Sequence, residues 1–344
     1  MRAIVLAGGE GTRLRPLTWR TPKPLVPLLN QPLVARLLQH LARHGFDEIT
    51  LALTRRTTVI EETLGDGAAL GLHLDYAYED TPLGSGGAIA SIAERWPEGT
   101  RETFLVCNGD IVSDLDLTAM LGEHRARGAE LSISLFEVDD PSPFGVADLV
   151  QGGPEDGRIR RFVEKPKREE APSRRINSGF WLFEPSLLAD MDGSTFNRVE
   201  DNLFPLVAST GRSMFGFTHG PYWRDVGNAA ALLAANLDLA RAEAPAGVLR
   251  AEGVTVAPDA RVEGPAVLGA GCEIGPGAVV QGSVLWDRVT VGPRAVVRGS
   301  ILASGVNIGA DAIVEDAIVA HDVAVAPSAH LDGVSVEPAA AVSA

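Results

Sequence analysis

The first chemistry in the chain is a glycine turn beside two cations. Gly8, Gly9 and Gly11 follow an apolar run, Ile4 to Ala7, that reads as a short buried strand. Glycines this close together let backbone N–H groups face a phosphate with no Cβ in the way. Arg13 and Lys23 add two positive charges, and Pro16, Pro22 and Pro24 stiffen the stretch between them. A turn joining a strand to the next element would need only the glycines. The added cations and prolines favour the polyphosphate of a nucleoside triphosphate. The string is not a dinucleotide fingerprint, because Leu14 stands where G-x-G-x-x-G needs its third glycine, and no P-loop string occurs.

Carboxylates come next. Asp110 closes Val106-Cys-Asn-Gly-Asp110 behind a strand-like run from Thr103 to Cys107. A carboxylate there can hold Mg²⁺, a hard cation that bridges phosphates, or it can open a turn or cap a helix. Asp225 stands in Tyr222-Trp-Arg-Asp-Val-Gly227, a second acidic position that could equally be a turn after a strand. Glu164-Lys165-Pro166 follows the strand-like Ile159 to Val163, and on its residues alone it is a solvated surface pair. Glu79 precedes the loop Leu83-Gly-Ser-Gly-Gly87. A carboxylate only accepts, and guanine presents adjacent N1–H and N2–H₂ donors, so Glu79 suits guanine better than thymine or uracil. A solvent-facing glutamate at a strand end is the plain alternative.

Elements that position these residues alternate from residue 1 to about 240. Pro32 to His44 has the pattern of an amphipathic helix, with Leu33, Leu37, Leu38 and Leu41 on one face. Ile49 to Leu53 and Leu74 to Tyr78 read as strands, and Gly84 to Gly87 precede an apolar helix from Ala88 to Trp96. Such alternation predicts a mostly parallel sheet covered by helices, with ligands beyond the carboxyl ends of its strands. Gly8 to Gly11 and Asn108 to Asp110 both fall there.

From Val254 the texture changes. Val256, Val262, Leu268, Ile274, Val280 and Trp286 recur every six residues, and the register then shifts to Val291, Val297, Ala303 and to Ile308, Val314, Ala320. That period predicts a parallel β-helix whose corners are irregular. The expected domains are thus 1–240 and 250–340.

Leu6-Ala-Gly-Gly-x-Gly-Thr-Arg-Leu-x-Pro-Leu-Thr with Pro22-Lys-Pro-Leu25 resembles the signature of the sugar-nucleotide pyrophosphorylases. Among these nucleotidyltransferases the chain looks most like the mannose-1-phosphate guanylyltransferase branch, and similar blocks cover nearly its whole length. The resemblance implies a Rossmann-like, mostly parallel sheet with helices on both faces, followed by a short left-handed parallel β-helix. It implies that Leu6, Ala7, Gly8, Gly9, Gly11, Thr12, Glu79, Gly84 and Asn108 hold the nucleotide, and that Asp110 and Asp225 hold Mg²⁺. Arg13 and Lys23 would act on the pyrophosphate, and Lys165 on the phosphate of a sugar 1-phosphate. Gly145, in Phe144-Gly-Val146, Glu164 and Asn177 would face the sugar. The family block at Asn177-Ser-Gly179 usually has alanine where Ser178 stands, a mild departure.

The implied reaction joins GTP and mannose 1-phosphate, releasing pyrophosphate. Glucose or heptose 1-phosphate with another triphosphate stays open, as does a non-catalytic regulatory subunit. An acyl-transfer activity in the β-helix is a further rival, for which only His321 and His330 offer bases. A net charge of −15 argues against nucleic acid or an anionic membrane as the main partner. Two cysteines, Cys107 and Cys272, are too few for a disulfide framework or a thiolate metal site. A strand starting near residue 1 leaves no room for a signal peptide, so a cytoplasmic chain is expected, assembled as a homo-oligomer through its β-helix.

Overall fold

The computed structural model describes residues 1–54, 58–97, 102–220, 222–338 and 341–342. Residues 339 and 340, at the end of the expected second domain, lie outside the described residues. The chain forms two compact units, Met1–Gly9 with Leu37–Trp223, and Glu10–Arg36 with Arg224–Ala344.

In the first unit the main sheet has nine strands: β1 Arg2–Leu6, β2 Glu48–Thr54, β3 His73–Glu79, β4 Phe104–Asn108, β5 Leu131–Glu137, β6 Gly145–Leu149, β7 Ile159–Glu164, β8 Arg175–Phe183 and β9 Met214–Thr218. Their order is β7-β6-β8-β4-β1-β2-β3, with β5 against β8 and β9 against β5. The stretch β4-β1-β2-β3 is parallel, as expected for strands separated by helical crossovers. β9 also pairs β5 in parallel, and the other pairings are antiparallel. β8 runs antiparallel to β4, β5 and β6, and β6 and β7, joined by the loop 150–158, pair antiparallel. Ile4, Val106, Trp181, Phe183 and Phe204 are fully buried in the core this sheet builds. Burying aliphatic and aromatic side chains of this size stabilises by about 1.5–3 kcal/mol each.

Parallel register aligns the carboxyl ends. Leu6 is opposite Asn108 on one side and Ala52 on the other, and Thr54 is opposite Glu79. The predicted nucleotide residues of this unit therefore begin at one edge of the sheet. The apolar helix starts earlier than expected, at Gly84, and runs to Ala93.

In the second unit, helix Ala229–Glu243 is capped by Asn228, whose side chain accepts from Ala231 N–H at 2.8 Å. The fully buried Asn236 accepts from Leu29 N–H at 2.9 Å, tying this helix to the segment 10–36. Beyond it, short strands stack into three parallel ladders of six, six and five strands, the pattern of a parallel β-helix. Val248 pairs with Ala266, eighteen positions on, but Val267 pairs with Val284 and Val284 with Ile301, seventeen on. Each later coil is one residue short of three sixes, which is why the six-residue period slips after Trp286, Ala303 and Ala320. Between coils, Arg294 grips Asp311 through two hydrogen bonds of 2.7 and 2.6 Å. Among the described residues no helix is long and apolar enough to cross a membrane.

Candidate active site

In the first unit the turn after β1 and the turn after β4 are built together. Gly109 N–H donates to Leu6 O at 2.9 Å, and a Cβ on Gly109 would lie 3.0 Å from that of Ala7. Ala7 N–H donates to Ala52 O at 3.0 Å. Leu6, Ala7, Gly8, Gly9, Asn108 and Asp110 thus share the carboxyl edge of β1 and β4, where backbone groups leave the sheet ladder. Asn108 also reaches the next block, since a Cβ on Gly179 would lie 3.0 Å from Asn108 Nδ2.

Glu79 ends β3 and lines a cavity of about 230 Å³ with Ala52, Leu83, Ser91 and Arg95. Burial raises its carboxyl above the ordinary range, and a hydrogen bond from Leu83 N–H to Oε2, 3.1 Å, opposes that shift. No residue of the glycine turn lines this cavity. The loop Leu83–Gly87 has a packing role that the sequence reading did not assign. Gly84 sits at φ 72°, and a Cβ on Gly86 would fall 1.8 Å from Asn197 Oδ1. The Gly86 and Gly87 N–H groups both donate to Asn197 O, at 3.0 and 3.4 Å. These two N–H groups are occupied by the protein.

The predicted sugar residues cluster on β6, β7 and β8. Gly145 is opposite Glu164, and a Cβ at Gly145 would meet Phe162 at 2.3 Å and Glu164 Oε2 at 2.8 Å. Glu164 Oε1 accepts from Arg198 at 3.1 Å and lies 3.3 Å from Lys165 Nζ. Lys165 adopts φ 46°, a left-handed conformation that costs a lysine energy, held by its N–H donating to Phe144 O at 3.0 Å. Asn177 sits where the pairing of β8 with β5 shifts register. Its Oδ1 accepts from Gly179 N–H at 3.0 Å and Trp181 Nε1 at 2.8 Å, so these bonds do not use its Nδ2 donor.

Ser178, the departure from the family pattern, is fully buried. Its hydroxyl meets Ser134 Oγ at 2.5 Å and His219 Nε2 at 2.9 Å, so neighbouring polar groups satisfy it. Burial holds the His219 imidazole at a pKa of about 4.

The second unit carries Gly11, Thr12, Arg13, Lys23 and Asp225. Gly11 has φ 63°, and its carbonyl accepts from Thr18 Oγ1 at 2.8 Å. A Cβ on Gly227 would lie 3.0 Å from Asp225 Oδ1 and 3.1 Å from Arg13 Nη2. Arg13 and Asp225, read separately from the sequence, meet at that glycine.

Arg198 and Glu200 were not expected. Arg198 lies 3.8 Å from Glu200 and 3.2 Å from Asp201 while it holds Glu164. Ser85 Oγ donates to Glu200 Oε2 at 2.6 Å and accepts from Val199 N–H at 3.0 Å. One chain of contacts therefore joins Lys165 and Glu164 to the start of the helix at Gly84. The residues come from three separate segments, so no local spacing signals it. His321 is also placed otherwise than a catalytic base. It is 9% exposed, with its Nε2 3.1 Å from Thr21 Oγ1 and its ring edge-on to Trp286.

The nucleotidyl transferase family profile matches residues 2–242, and the chain belongs to that family. A second profile, the GMPPB C-terminal domain, matches residues 246–344. Mannose-1-phosphate guanylyltransferase of Mycobacterium tuberculosis is 36% identical over 296 residues, covering 83% of this chain and 80% of the relative. Mannose-1-phosphate guanylyltransferase 1 of Arabidopsis thaliana is 33% identical over 300 residues, covering 84% and 81%. A Bacillus anthracis crystal structure described as a glucose-1-phosphate thymidylyltransferase shares the fold with a TM-score of 0.61 at 24% identity. It covers 70% of this chain and 95% of that one. Enzymes of this family generally use a divalent metal.

Proposed function

We propose that this enzyme transfers GMP from GTP to mannose 1-phosphate, forming GDP-mannose and releasing pyrophosphate. Similarity to guanylyltransferases over more than four fifths of the chain supports the substrates. The meeting of Arg13 and Asp225 at Gly227 carries the chemistry, because it sets a cation beside a carboxylate able to share a metal with the same phosphates.

The phosphate oxygen of the sugar phosphate is already anionic and attacks the α-phosphorus in line with the leaving pyrophosphate. No general base is needed. The protein's task is positioning and charge neutralisation. Arg13 and Lys23 neutralise the pyrophosphate, and Lys165 orients the attacking phosphate. Glu164 and Asn177 Nδ2 bond sugar hydroxyls. Glu79 accepts from the guanine edge.

Asp110 and Asp225 are the proposed metal ligands. Among the described residues no three or more His, Cys, Asp or Glu side chains group as a metal cage. Two hard carboxylates would suit Mg²⁺, a cation that prefers oxygen ligands. When bound, the ion supplies positive charge to the phosphates.

A pyrophosphate-release panel crossing four nucleoside triphosphates with mannose, glucose and heptose 1-phosphates tests the assignment. GTP with mannose 1-phosphate should give the highest kcat/KM. A clear preference for another pair would replace the substrates, and no release from any pair would sink the reaction.

A further inference from the structure

The stretch that links Arg13 to Lys23 rests on the β-helix. Trp19 Nε1 donates to Glu337 Oε2 at 2.5 Å, Arg20 pairs with Asp322, and Thr21 Oγ1 meets His321 Nε2 at 3.1 Å. The His321 ring also packs edge-on with Trp286, with ring centroids 5.3 Å apart. Trp286 is 2% exposed yet stands apart from the apolar core of the coils. Trp286 and Glu337 occupy equivalent places in coils at seventeen-residue steps, with Ala303 and Ala320 between them. The contacts therefore form one row along the coils. Further along the same segment, Asn30 Nδ2 donates to Leu268 O at 2.9 Å.

These contacts differ in weight. Arg20 and Asp322 are more than half exposed, and an ion pair of that kind contributes little. The His321 contact is part-buried, with His321 9% exposed, and a polar group shielded from water that loses its partner is costly. The segment itself has only two single-turn 3₁₀ helices, Thr12–Leu14 and Leu17–Trp19, before Lys23 begins a third. So little regular structure cannot fix two cations by itself, and preorganised charge depends on what supports it.

We propose that the β-helix wall formed by Trp286, His321, Asp322 and Glu337 is a positioning element of the nucleotide site. By seating Trp19–Thr21 it fixes where Arg13 and Lys23 stand, and so sets affinity for the polyphosphate. His321 is the central positioning residue and acts through Thr21. This inference rests on the reading of Arg13 and Lys23 as polyphosphate ligands.

A double-mutant cycle on His321 and Thr21 tests it in the full-length protein. His321→Ala should raise KM for GTP about tenfold, the size of one lost part-buried hydrogen bond with its partner stranded. KM for mannose 1-phosphate should stay within about twofold. Thr21→Val is nearly isosteric and leaves the β-helix untouched, so it reports even if His321→Ala folds poorly. It should shift GTP in the same direction, and the double variant should be no worse than His321→Ala alone. His321→Gln, which keeps a side-chain polar group, should recover most of the affinity. Calorimetric titration with inorganic pyrophosphate gives a readout independent of turnover. Wild type that binds neither GTP nor pyrophosphate would sink the nucleotide reading and this inference with it. Wild type that binds them while Thr21→Val binds equally well would sink the seat alone. So would equal rises in KM for both substrates.

Discussion

Lys23 lies across Gly11 so closely that a Cβ at position 11 would sit 2.9 Å from Lys23 Cβ. With φ at 63°, position 11 also has a backbone that residues with a side chain rarely adopt. Gly11→Ala therefore strains the turn and pushes the lysine away together. The expected result is a rise in KM for GTP of about tenfold, from roughly 1–2 kcal/mol of backbone strain plus displacement. Thermal unfolding of the variant should stay cooperative. Unchanged nucleotide kinetics would show that Lys23 does not depend on this contact.

Much of the turn around Gly11 was readable in the sequence because it is local. Glycines, prolines and two cations within sixteen residues state their own geometry. The central strands were equally legible, since each is a short apolar run ending where parallel register puts its neighbour. The antiparallel wing was less so, because β6, β7 and β8 carry the same apolar residues whichever way they run. Gly84–Gly87 shows how a correct element can conceal its reason. From the sequence Gly84 is expected at the nucleotide and the glycines ahead of a helix, whereas Gly86 also makes room for Asn197, over a hundred residues away. Arg198, Glu200 and the His321 seat lay beyond reach for the same cause. A contact between distant segments leaves no spacing to read.

The Arg198 network makes a separate prediction about the sugar. Arg198 donates to Glu164, 15% exposed, at 3.1 Å, and Lys165 stands beside the same oxygen. Lys165→Ala should raise KM for the sugar phosphate far more than KM for GTP, if the lost cation is the proposed ligand of that phosphate. Arg198→Ala should also act on the sugar side, by about tenfold, through a Glu164 no longer held in place. Initial-rate kinetics with each substrate varied will check both. Equal effects on the two KM values would move Lys165 to the triphosphate.

Acid should weaken the fold before most carboxylates titrate. Burial lowers both His40 and His219 from 6.5 to about 4. His40 Nε2 and His219 Nδ1 are buried with no hydrogen-bond partner among the described residues, so neither ring gains from a proton there. Below about pH 6.5 the unfolded chain takes up protons that the folded protein refuses until about pH 4. Stability is therefore full above that window and falls as pH drops through it. Urea midpoints should decline between about pH 7 and pH 5, less steeply in His219→Gln. Identical slopes in variant and wild type would exclude His219 as a contributor.

The proposed role of Glu79 is base choice. Its Oε2 already accepts from Leu83 N–H, so a guanine bound there would share this carboxylate with the loop that follows it. Glu79→Gln replaces one oxygen by an amide nitrogen. If the amide keeps its oxygen on Leu83 N–H, the nitrogen faces the guanine N1–H and N2–H₂, donor against donor. If it turns the other way, Leu83 N–H loses its acceptor instead. Either orientation loses a hydrogen bond to a charged acceptor, worth about 1.5–3 kcal/mol, so kcat/KM for GTP should fall by about tenfold or more. Efficiency with dTTP or UTP should fall less, or rise, because an amide both donates to and accepts from a pyrimidine edge. The ratio of GTP to dTTP efficiency in wild type and variant decides it. An unchanged ratio would take Glu79 out of base recognition and leave it the task the structure already shows, closing the turn at Leu83.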